Sequence, residues 1–124
     1  MNDLHYVSPD EAVRLVKSGD TIVVQGSTSI PQELLRALTR RASELRDVRI
    51  ISGFGIAAED APYAKKEYID SFRALNIFVP NCLRNAMKEG TADTIPCFLG
   101  EVPGLFRSGI VPVDVTFLNV SEPD

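Results

Sequence analysis

Between Thr21 and Leu38 the chain changes period twice. Thr21-Ile22-Val23-Val24-Gln25 is a β-branched apolar run, and Gly26-Ser27-Thr28-Ser29-Ile30 is a turn. Pro31-Gln32-Glu33-Leu34-Leu35-Arg36-Ala37-Leu38 then repeats its apolar residues at helical spacing. A continuous apolar strand is expected to be covered on both faces, as in a parallel sheet flanked by helices. In such sheets ligands bind where loops leave the carboxyl ends of strands, and a helix starting there aims unpaired N–H groups at an anion. Chemistry is therefore sought first in the loop from Gly26 to Pro31.

The alternation continues in both directions. Ser8 is placed to cap a first helix, with Pro9 at its first position, Glu11 three residues after the cap, and Gly19 at its end. Ala12, Leu15 and Val16 form its apolar stripe. The second helix is expected over Pro31–Leu45, burying Leu34, Leu35, Leu38, Ala42 and Leu45. Its Arg36, Arg40 and Arg41 read as a solvated face interleaved with Glu33 and Glu44. Further strands are expected at Val48–Ser52, Leu75–Val79, Ile95–Leu99 and Val113–Val120, with Pro80 closing the third. Glu59–Arg73 reads as a short, partly irregular helix, and Asn81 caps another that Gly90 ends. Glu101–Ser108 reads as a helical turn interrupted by Pro103 and Gly104. Strands separated by helices imply βαβ units. The expected fold is one α/β domain over residues 1–124, with a mostly parallel open sheet of four or five strands flanked by helices.

A compact chain of 124 residues buries roughly two-thirds of its unfolded surface, so no second domain is required. Net charge −4 gives no general attraction to nucleic acid or to an anionic membrane. Cys82 and Cys97 have neither the number nor the spacing of a disulfide framework or zinc site, and read as small buried thiols. No stretch approaches the roughly 20 apolar residues of a membrane span, and the first residues do not read as a secretory signal. A cytoplasmic protein is the expectation.

The common catalytic constellations find little material. The single histidine, His5, leaves no histidine-based triad or metal site. Gly26-Ser27-Thr28-Ser29-Ile30 lacks the second glycine of a nucleophile elbow, so Ser27, Thr28 and Ser29 are read as helix caps or partners of a ligand oxygen. Gly53-Phe54-Gly55 begins like a dinucleotide fingerprint, with Ala58 in its final position. However, Leu75 and Asn76 stand where an acidic ribose ligand belongs.

Taken in order, the segments resemble the N-terminal domain of the acetyl-CoA hydrolase and transferase family, which includes butyrate and 4-hydroxybutyrate CoA-transferases. The resemblance rests on Val7–Val13, Ser18–Ile22, Gly26 with Pro31–Leu38, Arg84–Gly90, the Ile95-Pro96 step, and Asp114–Asp124. It implies an enzyme of two similar α/β domains. In that family a glutamate attacks an acyl-CoA thioester to form a glutamyl-CoA intermediate, which a carboxylate acceptor resolves. The glutamate and most coenzyme A contacts lie in the family's C-terminal domain, and no position of this chain matches them. Ser121-Glu122-Pro123-Asp124 departs from the family's usual Ser-Pro-Pro-Asp.

The resemblance also implies which residues face substrate. Gly26, Ser27, Thr28, Pro31, Gly53, Phe54 and Gly55 are expected to offer backbone and hydroxyl contacts, and Arg84 to meet an anionic group. The expected ligands are an acyl-CoA and a small carboxylate, with no permanently bound cofactor. Because the family's N-terminal domain extends further, an uncovered edge and apolar faces are expected. They would be covered by a second subunit, a C-terminal CoA-transferase domain or another copy of the chain. The competing expectations are a noncatalytic binding or interaction module that kept the fold, and an independent nucleotide-binding domain.

Overall fold

The computed structural model describes residues 5–53 and 61–122. Five strands form one sheet in the order β4-β3-β2-β1-β5: β1 Thr21–Val24, β2 Val48–Ser52, β3 Phe72–Asn76, β4 Ala92–Thr94 and β5 Val115–Phe117. Every pairing is parallel. The registers include Ile22 opposite Ile50, Ile50 opposite Ala74 and Val24 opposite Phe117. The expected α/β class with a parallel sheet is therefore correct, at the upper of the two strand counts.

Alternation along the strands separates two faces. Ile22, Val24, Val48, Ile50, Phe72, Ala74 and Phe117 share one face and join the main core. That core is closed by the turn that follows α1 (Pro9–Ala12), by α2 (Gln32–Arg40), by the turn Pro62–Ala64 and by α3 (Arg84–Glu89). The buried layer above the sheet comes from Val13, Val16, Leu35, Ala37, Leu38, Tyr63, Leu83 and Ala86. The chain steps outward from β1 to β4, then returns through α4 (Val102–Arg107) to set β5 on the other side of β1. This reversal makes a switch point between β1 and β5.

Several boundaries differ from expectation for local reasons. The first helix stops at Ala12 and tightens into a 3₁₀ turn, Val13–Leu15. Ser8 Oγ does accept from the Glu11 N–H, but Val13 and Val16 are buried while Leu15 is exposed. Gly19 lies beyond the helix, in a turn with φ +86° whose N–H donates to the Arg46 carbonyl. The second helix ends at Arg40, although Ala42 and Leu45 stay buried in the turns that follow. Arg41 is not solvated: its guanidinium donates to the Val13 and Val16 carbonyls, tying the end of α2 to the first helix.

The third strand begins three residues before the expected start, because Phe72 is core, and it ends at Asn76, although the Ile77 N–H still donates to the Ser52 carbonyl. Pro62–Ala64 and Lys66–Tyr68 are 3₁₀ turns rather than part of one helix, and the expected segment's start at Glu59 and Asp60 lies outside the described residues. The fourth strand is Ala92–Thr94 and not Ile95–Leu99, and the fifth is confined to Val115–Phe117. Asn81 does not cap a helix N–H; its side-chain oxygen accepts from Arg84 Nε at 3.0 Å. Gly90 does end α3, with φ +75°. Pro103 and Gly104 do not interrupt α4, since proline in a first turn forfeits no helical hydrogen bond. Cys82 and Cys97 are half-buried and form no disulfide with each other. Among the described residues no helix is long and apolar enough to cross a membrane.

Candidate functional site

The second face of the sheet has a different cover. Leu99, Val102 and Phe106 follow a spacing of three and four residues, which puts them on one side of the α4 segment. That side faces Val23 and Ile51 across a cleft of ≈ 320 Å³. Val24, Gly26 and Ser27 from the end of β1, Gly53 from the end of β2 and Ile77 from the end of β3 complete its wall. The cleft therefore opens at the carboxyl ends of three parallel strands, beside the switch point. No residue of α4 is fully buried, unlike α2 with its buried Leu35, Ala37 and Leu38; Val102, Leu105 and Phe106 are half-buried.

The wall at β1 is held by its neighbour. Gln25 N–H donates to the Phe117 carbonyl at 3.0 Å, and its side-chain Oε1 accepts from the Asn119 N–H at 2.7 Å. The loops after β1 and β5 are thus stitched on both sides of Gln25. Immediately after, Ser27 takes a left-handed backbone, φ +61°, a conformation that costs a non-glycine residue roughly 1–2 kcal/mol. Such strain persists only where surrounding contacts enforce it, and it often marks binding loops. Among the described residues the Ser27 hydroxyl makes no hydrogen bond. At Gly53 an added Cβ would meet nothing within 4 Å, so the space in front of this backbone is open.

Three of the sequence-derived site residues, Gly26, Ser27 and Gly53, converge on the cleft. Thr28 is exposed, Pro31 is buried where α2 begins, and Arg84 lies exposed on α3 bonded to Asn81; none of the three lines the cleft. Phe54 and Gly55 fall outside the described residues. The hydroxyls of Ser27, Thr28 and Ser29 do not cap α2, which starts after Pro31 without a side-chain cap. Its Gln32 N–H is already taken by the Ile30 carbonyl at 2.9 Å. One N–H at that helix start is therefore already taken by the backbone, and the cleft beside it is apolar.

Sequence reasoning missed the opposite wall. The Leu99, Val102, Phe106 spacing was present as a signal, but reading Pro103 and Gly104 as an interruption concealed it. Recognising the wall also requires knowing that β5 pairs with β1, which sends the connecting helix across the second face.

A sequence profile of the acetyl-CoA hydrolase/transferase N-terminal domain matches residues 4–124. The chain is similar to a 4-hydroxybutyrate coenzyme A transferase of Clostridium kluyveri, with 33% identity over 95% of the chain and 27% of that relative. It is also similar to a succinyl-CoA:acetate/propanoyl-CoA:succinate CoA transferase of Fasciola hepatica, with 32% identity over 93% of the chain and 24% of the relative. The crystal structure of RipA from Yersinia pestis shares the fold, with TM-score 0.76 and 21% identity over 90% of this chain and 28% of that one. The chain thus spans about a quarter of the length of these relatives. Its strand order, its cleft at the strand ends and a match running almost from end to end agree: the chain belongs to the acetyl-CoA hydrolase/transferase N-terminal domain family.

Proposed function

We propose that this chain supplies the substrate-side wall of an acyl-CoA:carboxylate CoA-transferase, or of a related acetyl-CoA hydrolase, and works in the cytoplasm. The observation that carries the reading is the convergence of Gly26, Ser27 and Gly53 on one cleft at the carboxyl ends of β1 and β2. In this account the cleft holds the acyl group, and backbone and hydroxyl groups at Ser27 and Gly53 orient its carbonyl. The nucleophilic glutamate comes from a C-terminal CoA-transferase region, on the same polypeptide or on a partner subunit. Thr28, Pro31, Phe54 and Gly55 are proposed as further backbone and hydroxyl contacts around the substrate, and Arg84, on α3, as a contact for an anionic group.

The division of labour follows from chemistry. Transfer through a covalent glutamyl-CoA replaces one difficult acyl exchange with two easier steps, provided thioester and carboxylate are held in line. A wall without the nucleophile can position but not react. The test is transfer from butyryl-CoA to acetate, measured for the chain alone and after mixing with a polypeptide carrying the family's C-terminal domain. The reading predicts activity only for the mixture.

A further inference from the structure

The cleft's chemistry narrows its ligand further than the transferase reading does. Val23, Ile51 and Ile77 form one wall, and Leu99, Val102 and Phe106 the other. Among the described residues none that lines it is charged, and the polar groups they contribute, at Gly26, Ser27 and Gly53, all come from the strand-end loops. A carboxylate driven between those walls would lose its hydration with no cation to receive it, which is strongly unfavourable. An aliphatic chain would instead remove apolar surface from water on both sides. Position agrees with composition: the polar loops sit at the strand ends, where the thioester or carboxylate end can stay hydrated or hydrogen-bonded.

Resting on the CoA-transferase reading, we propose that this cleft selects acyl groups with an uncharged aliphatic chain and rejects those ending in a second carboxylate. Phe106 is the largest side chain in the wall and sets the length of chain accepted. The chain enters between the sheet and α4, and its carboxyl carbon stays near Ser27 and Gly53. The ≈ 320 Å³ between these walls leaves the room that this requires.

The test uses the 124-residue chain itself and needs no transfer activity. Backbone amide resonances are followed while acetate, butyrate, hexanoate or succinate is added, at fixed pH and ionic strength. Gly26, Gly53 and Phe106 amides should shift with butyrate and hexanoate, with affinity rising roughly three- to fourfold per added methylene. Succinate should leave them in place. In Phe106→Ala the preferred chain should lengthen. In Val102→Lys, checked for an unchanged spectrum elsewhere, hexanoate should lose its effect while succinate gains one. Equal shifts with succinate and butyrate, no shifts with any of the four acids, or shifts produced by protein concentration alone would each overturn the assignment. Transfer activity in the reconstituted enzyme without this selectivity defeats the cleft assignment only. Selective binding with no transfer in any mixture defeats the transferase reading and leaves the cleft.

Discussion

Ser52 Oγ donates a 2.8 Å hydrogen bond to Asn76 Oδ1 between neighbouring strands, with Asn76 wholly buried. Asn76 Nδ2 then donates to the Asp93 carbonyl at 3.3 Å, and Thr94 Oγ1 donates to the Asn76 carbonyl at 3.0 Å. One amide therefore binds β2 to β3 and β3 to β4 just below the strand ends that shape the cleft. Ser52 directly precedes Gly53, so this network fixes where the Gly53 backbone stands.

Asn76→Ala leaves the Ser52 hydroxyl without its buried acceptor. The expected loss of stability is about 1–3 kcal/mol, read as a lower urea midpoint with an unchanged slope. Asn76→Asp should lose more, because it places a carboxylate at a wholly buried position where no cation among the described residues pairs with it.

Arg41 and Arg40 are adjacent on the sequence but unequal in the fold. Arg41→Ala removes the guanidinium that holds the Val13 and Val16 carbonyls, and should cost roughly 1.5–3 kcal/mol in chemical denaturation. The Arg40 pair with Asp10 is 55% and 61% exposed on its two sides, so Arg40→Ala should cost under about 1 kcal/mol.

Ser27→Gly relieves the left-handed backbone and should raise stability by up to about 1 kcal/mol, the gain being reduced by glycine's extra freedom when unfolded. Ser27→Val should lower it. In the reconstituted enzyme Ser27→Gly should nevertheless transfer acyl groups more slowly, because the hydroxyl is gone; thermal melts and initial rates on the same samples check both.

Apolar exposure is concentrated late in the chain: Phe98, Leu99, Ile110, Leu118 and Val120 are each more than half exposed. Sedimentation velocity over a range of concentrations should give masses above 13.6 kDa for the chain without a partner. Replacing Leu118 and Val120 together by Asp should return it toward a monomer. A concentration-independent monomer in the unaltered chain would remove self-association from the account.

The sequence was most legible where local pattern and tertiary environment agree. Val48–Ser52 was read to the residue, because a β-branched run bounded by polar residues has one reading. The aromatic spacing around Phe72 suits a helix as well as a strand, and only its seat in the core places it in β3. Composition cannot show that the Val13 and Val16 carbonyls lie within reach of Arg41, so the sequence reads it as solvated. For the site, Gly26, Ser27 and Gly53 were found from loops at strand ends. The α4 wall depends on strand order, which is a property of the whole chain.

The central claim is that the cleft is the acyl side of a transferase whose nucleophile lies elsewhere. Its most direct measurement is butyryl-CoA to acetate transfer by the chain reconstituted with a glutamate-bearing C-terminal polypeptide, comparing the native sequence with Gly53→Val. A side chain there has open space, so the variant should fold with unchanged stability while taking cleft volume. The account predicts no transfer from the chain alone, clear transfer from the reconstituted pair, and at least a tenfold loss of kcat/KM in Gly53→Val, about 1.4 kcal/mol of transition-state binding. Robust transfer by the lone chain, or an unaffected Gly53→Val pair, would contradict it.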